Sequence, residues 1–236
     1  MDDFGQRKLK LDALVRMVLN SRVTHAFVDA IPGLHDLVQL GKLENMLLEP
    51  LPGDAHYDLV IVDAPATGHG LTLLAAPQAM SELTKIGPFH ELASIIARLL
   101  DDPKKSAVVL VTLPEELPVN EGIELALGLG DNQKLLHSVI MNQARPPSLP
   151  PVPAWDHIHA LLSTAPDPDL RELLRVAEPF WRRQLSQEQA LHRLKTLAEL
   201  LNRQIPIAQL PKVEHGELSP DDLHILAEQL LPQVTT

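Results

Sequence analysis

Asp63 is the first residue of this chain whose type and position could do chemistry. It ends an apolar run, residues 59–62, which predicts a β-strand over residues 58–63. A carboxylate at the end of a buried parallel strand lies at the edge where α/β proteins bind ligands, and such residues often hold Mg²⁺ through a water molecule. A strand-terminal aspartate can also cap the turn that follows it, so the residue alone leaves both roles open.

The loop after Asp63 adds three more candidates. Small residues lead to Thr67, Gly68 and His69, and the apolar segment from Leu71 predicts a helix. Glycine lets the backbone approach a ligand closely, threonine offers a hydroxyl, and histidine could sense or stabilise negative charge. The loop therefore favours an anionic ligand such as the γ-phosphate of a nucleotide.

The sequence does not contain a phosphate-binding loop of the usual kind. That loop has the pattern G-x-x-x-x-G-K followed by serine or threonine. The only Gly-Lys pair is Gly41-Lys42, which is followed by Leu43 and has Asp36 at the position of the first glycine. The chain thus carries residues that could respond to a phosphate without the loop that would hold one.

Strands alternate with helices, which predicts an α/β fold with a mostly parallel sheet and flanking helices. Three further strands are expected, at residues 106–113 with both faces buried, at 135–142, and at 204–210 near a sheet edge because of Pro206. Six helical segments are expected: residues 8–30, 34–48, from 71 with a kink or end at Pro77, 88–101, 118–130, and 222–231 behind an N-cap at Ser219. Residues 155–202 are mainly helical and are divided by prolines at 166, 168 and 179.

Composition narrows the possible partners and location. The formal net charge is −11, so a nucleic-acid backbone is a poor partner and we expect none. No apolar run approaches the roughly 18 residues of a membrane span, and no integral membrane segment is expected. The chain has no cysteine, which excludes disulfides and thiolate metal sites, and we expect a cytoplasmic protein.

Residues 57–74, Y-D-L-V-I-V-D-A-P-A-T-G-H-G-L-T-L-L, resemble the switch II segment of the arsenite-pump and tail-anchored-protein targeting ATPases, the ArsA/Get-type family. Five residues match the family pattern position for position: Asp63, Thr67, Gly68, His69 and Leu71. Thr72 stands where an arginine is common, so no role of that arginine is carried over. Residues 31–43 and 111–121 also resemble family segments, so the resemblance covers nearly the whole chain.

Two later segments resemble the nucleotide-base side of the family's site. V-I-M-N-Q, residues 139–143, is similar to the strand whose asparagine reads the adenine, which implies a base contact by Asn142 with Gln143 beside it. A carboxamide has the donor and acceptor that an adenine edge requires. Residues 209–218 stand where the family has its last nucleotide-flanking loop, which implies a contact near Pro211.

The resemblance implies a P-loop NTPase-like fold that is incomplete at its N-terminus and has a helical insertion. It implies a single domain, residues 1–236, without the first strand, phosphate loop and switch I, and with a mainly helical segment at residues 155–202. ATP and Mg²⁺ are the implied cofactors, with Asp63, Thr67, Gly68 and His69 as catalytic residues and Asp63 also at the metal. The implied partner is an ArsA/Get-like chain in a homo- or heterodimer. The thiol sites that family members use for arsenite or zinc cannot exist here.

Three hypotheses of function follow. In the first, the chain is the C-terminal portion or a subunit of an ArsA/Get-type ATPase, and hydrolysis requires a phosphate loop from another segment or chain. In the second, it is a non-catalytic pseudo-ATPase that binds or regulates a true family member. In the third, it is an unrelated α/β domain that imitates switch II, which the order of several matching segments disfavours.

Overall fold

A computed structural model of the chain describes residues 34–47, 57–65, 68–147, 152–214 and 217–234. The helix expected over residues 8–30 and the candidate residue Thr67 lie outside these ranges. The chain divides into two compact units. One contains the described residues up to Ala107 together with residues 129–135, and the other contains residues 108–128 and the described residues from Leu136 onward.

The first unit is helical in its described part. It consists of α1 (Leu34–Leu47), α2 (Gly68–Thr84), α3 (Pro88–Asp101) and a 3-10 helix, Gly130–Leu135. These elements bury a set of apolar side chains against one another: Leu37, Leu40, Leu73, Met80, Leu92, Ala93 and Ile96. The expected helices at residues 34–48 and 88–101 are confirmed. Helix α3 begins at Pro88 because proline has no N–H to leave unpaired and its fixed φ suits the first helical position.

Gly41 and Pro77 both serve the packing of this unit. A Cβ atom on Gly41 would lie 3.1 Å from Cδ1 of Leu92, so the glycine allows α1 and α3 to approach closely. This confirms that Gly41-Lys42 is part of a helix and not of a phosphate loop. Pro77 was expected to kink or end α2; it does not end the helix, which continues to Thr84 with the proline buried inside it.

The strand expected over residues 58–63 does not form. Residues 57–65 have no strand or helix assignment, and the side chains of Leu59 and Ile61 are 73% and 86% exposed. An extended segment becomes a β-strand only when its backbone pairs with a neighbour, and no strand of the described residues pairs with this one. The apolar pattern identified a segment suited to a sheet, but the pattern cannot supply the partner.

The second unit contains a three-stranded parallel sheet in the order β1–β2–β3. The strands are β1 (Val108–Thr112), β2 (Leu136–Ala144) and β3 (Ile207–Pro211). The predicted α/β class with a parallel sheet and flanking helices is confirmed, as is the position of the last strand at an edge. At the β3 edge of the sheet, a glutamine side chain pairs with the backbone of the strand. The backbone N–H of Gln209 in β3 donates to Oε1 of Gln233 at 2.9 Å, and Nε2 of Gln233 donates to the Gln209 carbonyl at 3.2 Å.

The prediction that β1 is buried on both faces is wrong. Leu110 and Thr112 are buried, whereas Val109 and Val111 on the opposite face are 47% and 60% exposed. Helix α4 (Glu116–Gly128) packs on the buried face, where a Cβ on Gly122 would lie 3.3 Å from Cδ2 of Leu110. An apolar sequence allows both faces of a strand to be buried. Whether both faces are buried depends on which elements pack against them.

Two helices connect β2 to β3: α5 (Val152–Ser163) and the 33-residue α6 (Pro168–Leu200). Asp167 caps α6 by accepting a hydrogen bond from the Asp169 N–H at 2.9 Å. Prolines 166 and 168 lie at the junction of the helices, whereas Pro179 lies inside α6 without ending it.

The two halves of α6 have different environments. The C-terminal half buries Ala190, Leu194 and Leu197. The N-terminal half exposes apolar side chains and carries ion pairs on its surface, where hydrogen bonding to Arg175 lowers the pKa of Glu172 and hydrogen bonding to Arg182 lowers the pKa of Glu178. The N-terminal half is therefore the less buried half, although Leu174 is buried there and Trp181 stacks on Trp155.

The last helix, α7 (Pro220–Val234), begins as the sequence predicts. Ser219 Oγ accepts a hydrogen bond from the Asp222 N–H at 3.2 Å, and the Asp222 carboxylate accepts from the Ser219 N–H at 2.9 Å. This reciprocal capping satisfies two backbone donors at the start of the helix. Among the described residues, no helix combines the length and the apolar character needed to cross a membrane.

Candidate functional site

Three of the candidate switch residues lie in the first unit. Asp63 is exposed in the extended segment, and Gly68 and His69 are exposed in the first turn of α2. A Cβ atom on Gly68 would meet no atom within 4 Å, so there is open space beside the start of the helix. The position of Gly68 is therefore compatible with close approach of a ligand.

The start of α2 is electrostatically suited to an anion. The first N–H groups of an α-helix have no carbonyl partner within the helix, and the helix dipole adds partial positive charge there. Most helices offset this charge with an acidic residue, but the first turn of α2 has none. Thr72, at the position where the family commonly has arginine, donates its hydroxyl to the His69 carbonyl at 2.9 Å. The Thr72 hydroxyl thus faces the helix backbone at this end.

Asn142 and Gln143 form a β-bulge near the carboxyl end of β2. The ladder to β3 is regular up to Met141 and resumes at the pair Ala144–Pro211, so two residues of β2 face one residue of β3. Gln143 has a φ of 58°, in the left-handed region that few residues other than glycine adopt. Bulges of this kind redirect side chains and recur next to active sites.

The side chain of Asn142 has a fixed orientation. Its Oδ1 accepts a hydrogen bond from the backbone N–H of Gln143 at 2.9 Å. Only the oxygen of a carboxamide can accept, so this contact determines which end of the amide faces Gln143. Oδ1 keeps a second lone pair and Nδ2 keeps its donors, which is the combination that an adenine edge needs.

The chain immediately after the bulge is held by contacts with distant residues. Gln187 on α6 accepts from the Arg145 N–H and donates to the Arg145 carbonyl, both at 2.8 Å. The Lys212 N–H donates to the Ala144 carbonyl at 2.9 Å, and Nη1 of Arg145 pairs with the Glu214 carboxylate at 2.7 Å. The carboxyl ends of β2 and β3 are therefore fixed to each other and to α6.

The residues present fit parts of a Mg²⁺–nucleotide complex. Mg²⁺ takes oxygen ligands and keeps several waters, so one exposed carboxylate such as Asp63 suffices beside phosphate oxygens. Within the described ranges, no group of three or more histidine, aspartate or glutamate side chains could hold a metal ion by itself. Asn142 offers the chemistry for a base. The only Gly-Lys pair lies in α1, so the described residues contribute no phosphate loop.

The residues that contact Arg145 after the bulge, Gln187 and Glu214, were not predicted from the sequence. Gln187 is 42 positions from Arg145, and Glu214 is 69 positions from it. A glutamine or a glutamate on a polar helix or loop carries no local signal that it contacts a particular backbone group. The one available signal was the pattern V-I-M-N-Q followed by Ala144-Arg145, which marks a strand end without naming its supports.

A parallel α/β sheet with helices on its flanks, together with the D-x-x-x-T-G-H loop, defines the class of the P-loop NTPase-like folds. Residues 5–96 match the family of anion-transporting ATPases, ArsA. The chain is 32% identical over 220 residues to the ATPase BagA of Mycobacterium tuberculosis, covering 86% of this chain and 61% of that protein. A relative from Mycobacterium bovis, whose name also contains the word ATPase, gives the same figures.

This chain is therefore a relative of the ArsA anion-transporting ATPases. The family match includes residues 57–74 and confirms the resemblance found there. The chain spans 61% of the length of the relatives it matches.

Proposed function

We propose that this chain is the nucleotide-responsive part of an ArsA-type ATPase, either the C-terminal portion or a subunit. Hydrolysis then requires a phosphate loop that another segment or chain supplies. ATP supplies the phosphoryl group, and Mg²⁺ neutralises the charge that develops on it. A cytoplasmic location and a dimer with a second ArsA-type chain belong to the same proposal.

One observation supports the proposal: among the described residues, two apolar segments lack a strand partner that the sequence leads one to expect. Among the described strands, β1 pairs only with β2, and its Val109 and Val111 are 47% and 60% exposed. Leu59 and Ile61, just before Asp63, are more exposed still. Open apolar strand edges are templates for another strand. A supplied strand that leads into a phosphate loop would pair with such an edge and bring the groups that hold the phosphates.

The proposed roles follow from the chemistry of each residue. Asp63 holds Mg²⁺ through water, and Thr67, Gly68 and His69 respond to the γ-phosphate with a hydroxyl, an open backbone and a ring nitrogen. On the base side Asn142 contacts adenine, and Gln143 and Pro211 border it. Removal of the charge-neutralising groups of a phosphate loop removes most of the stabilisation of the transition state, so the chain alone should be nearly inactive.

Reconstitution tests this function. The purified chain should hydrolyse ATP only after addition of an ArsA-type chain that carries the phosphate loop, measured as phosphate release. Asp63→Asn should lower that gain by on the order of 100-fold, because one charged group that binds the metal is lost. Asp58→Asn is the matched control, since Asp58 is also exposed in the same segment and should leave the rate unchanged. Full activity of Asp63→Asn would overturn the assignment.

The second candidate function is a pseudo-ATPase that binds a true family member without chemistry. It is favoured by the position of the only Gly-Lys pair inside α1. In that case a stable complex with the partner should form, measured by light scattering after size-exclusion chromatography, and phosphate release should not rise above that of the partner alone. The complex should also survive Asp63→Asn and His69→Ala, and its loss in these variants without a change of fold would argue against this function.

A further inference from the structure

Gln187 contacts Arg145 in the same paired way in which Gln233 contacts Gln209, but it acts on the chain directly after the bulge. Its amide satisfies both the N–H and the carbonyl of one residue, at 2.8 Å each, and it does so from a different element, α6. A paired contact of this kind fixes the position and the orientation of the Arg145 peptide groups. Both hydrogen bonds are part-buried, which limits competition by water.

Arg145 lies directly after the bulge that carries Asn142. The bulge contains Gln143 in the left-handed region, a conformation that persists only when the surrounding structure imposes it. The Gln143 N–H in turn fixes the amide of Asn142 at 2.9 Å. The orientation of Asn142 therefore depends on a backbone conformation that is restrained from the other side by Gln187.

Helix α6 is itself anchored on both sides of Gln187. Toward the C-terminus, Arg193 donates to the Asn120 side chain at 2.6 Å and pairs with Glu116 at 3.2 Å, both on α4. Toward the N-terminus, Trp181 stacks on Trp155 of α5 with ring centroids 5.9 Å apart. Gln187 thus acts from a helix that has fixed neighbours, which is the condition for positioning another group precisely.

We propose that Gln187 is a positioning residue that holds the Asn142–Gln143 bulge in the geometry that distinguishes adenine from guanine. The inference rests on the proposed function, because Asn142 must contact a nucleotide base. With Oδ1 held as an acceptor, Asn142 can accept from the adenine amino group, whereas guanine presents a carbonyl oxygen at the equivalent position. Loosening of the bulge lets the amide rotate and removes this discrimination.

Nucleotide binding by the chain together with its phosphate-loop partner tests the proposal. The dissociation constants for ATP and GTP, each with Mg²⁺, are measured by equilibrium titration. Gln187→Ala should raise the ATP dissociation constant about five- to tenfold and leave that of GTP unchanged, an effect of the size of one or two hydrogen bonds. Gln187→Glu keeps the acceptor for the Arg145 N–H and should restore part of the preference. Gln189→Ala, an exposed glutamine two residues along α6, is the matched control.

Hydrogen exchange of the chain without nucleotide gives an independent measurement. The backbone amides of residues 142–145 should exchange about five- to tenfold faster in Gln187→Ala than in the wild-type chain or in Gln189→Ala, because the Arg145 N–H loses its acceptor. Unchanged exchange in residues 142–145 would show that Gln187 does not hold this segment, and the proposal would be wrong.

The two levels of failure are distinguishable. If the wild-type chain with its partner binds neither nucleotide, the proposed function is wrong and the role of Gln187 in base selection is wrong with it. If the wild-type chain prefers ATP and Gln187→Ala keeps the same preference, the role of Gln187 alone is overturned. An equal loss of ATP and GTP affinity would also overturn it, because a merely structural defect does not select between bases.

Discussion

The base-side segment, residues 142–145, and the switch segment, residues 63–69, are built in opposite ways. The base-side segment is held by its own bulge, by Gln187 on α6 and by the ion pair of Arg145 with Glu214. In the switch segment, Asp63, Gly68 and His69 are all exposed, and so are Leu59 and Ile61 before Asp63.

The difference matches what each segment would have to do. A base keeps its structure during hydrolysis, so a fixed frame is the best way to select it. A switch must have two arrangements whose balance the ligand shifts, and a tightly packed segment has only one. If the proposed function is right, the segment that contacts the base is already held by the described residues, whereas the switch residues are exposed and open to a partner.

The largest expected effect contrasts the residues that precede each segment. Met141 is fully buried before Asn142, and Ile61 is 86% exposed before Asp63. Met141→Ala should lower the free energy of unfolding by about 2–5 kcal/mol, because it leaves a cavity in the core. Ile61→Ala should change it by about 0.5 kcal/mol or less. Urea unfolding followed by circular dichroism measures both, and equal losses would mean that residues 57–65 are packed like the sheet.

A smaller effect tests the strain in the bulge. Gln143→Val places a β-branched residue at a φ of 58° and should cost about 1–2 kcal/mol, whereas Gln143→Gly should be neutral or stabilising. The change in melting temperature of the two variants measures the difference. A valine variant as stable as the glycine variant would show that the segment is not held in this conformation, and the contrast with the switch segment would disappear.

The smallest effect on stability is expected at the start of α2. Gly68→Ala should change the free energy of unfolding by about 0.5 kcal/mol or less, because a Cβ there meets no atom within 4 Å. The same variant should lower phosphate release by the reconstituted enzyme at least about tenfold if a ligand approaches Gly68 closely. Gly122→Ala is the comparison, since its Cβ would lie 3.3 Å from Leu110 and should cost about 1 kcal/mol or more. Unchanged phosphate release in Gly68→Ala would show that no ligand approaches Gly68 closely, and the role proposed for this residue would be wrong.

Much of the fold follows from local signals in the sequence. The starts of α3 and α7 were predictable because Pro88 and Ser219-Pro220 act within a few residues of themselves. The alternation of strands with helices predicted the parallel sheet, and Pro206 predicted an edge position for β3. Of the two effects expected at Pro77, a kink or an end of α2, the end is not observed, and the burial of this proline depends on packing that no local pattern shows.

The candidate site was predictable only as a set of residue types. The D-x-x-x-T-G-H pattern and the V-I-M-N-Q segment led to Asp63, His69 and Asn142, whose roles stay predictions, as do those of Thr67, Gly68, Gln143 and Pro211. The left-handed φ of Gln143 was not foreseen, since glutamine has no preference for it. The contact of Gln187 with Arg145 was not foreseen either, because the two residues are 42 positions apart and no local sequence pattern links them.

The sequence by itself determined the class of this protein, its family and the order of its elements, since periodicity, caps and the switch motif are short-range properties of the chain. Tertiary structure alone decided that Val109 and Val111 on one face of β1 are exposed, that residues 58–63 pair with no strand of the described residues, and that Gln187 contacts the chain after the bulge beside Asn142. The reason is physical: pairing, burial and long-range hydrogen bonds depend on which distant groups meet, and a single chain position carries no record of its partner.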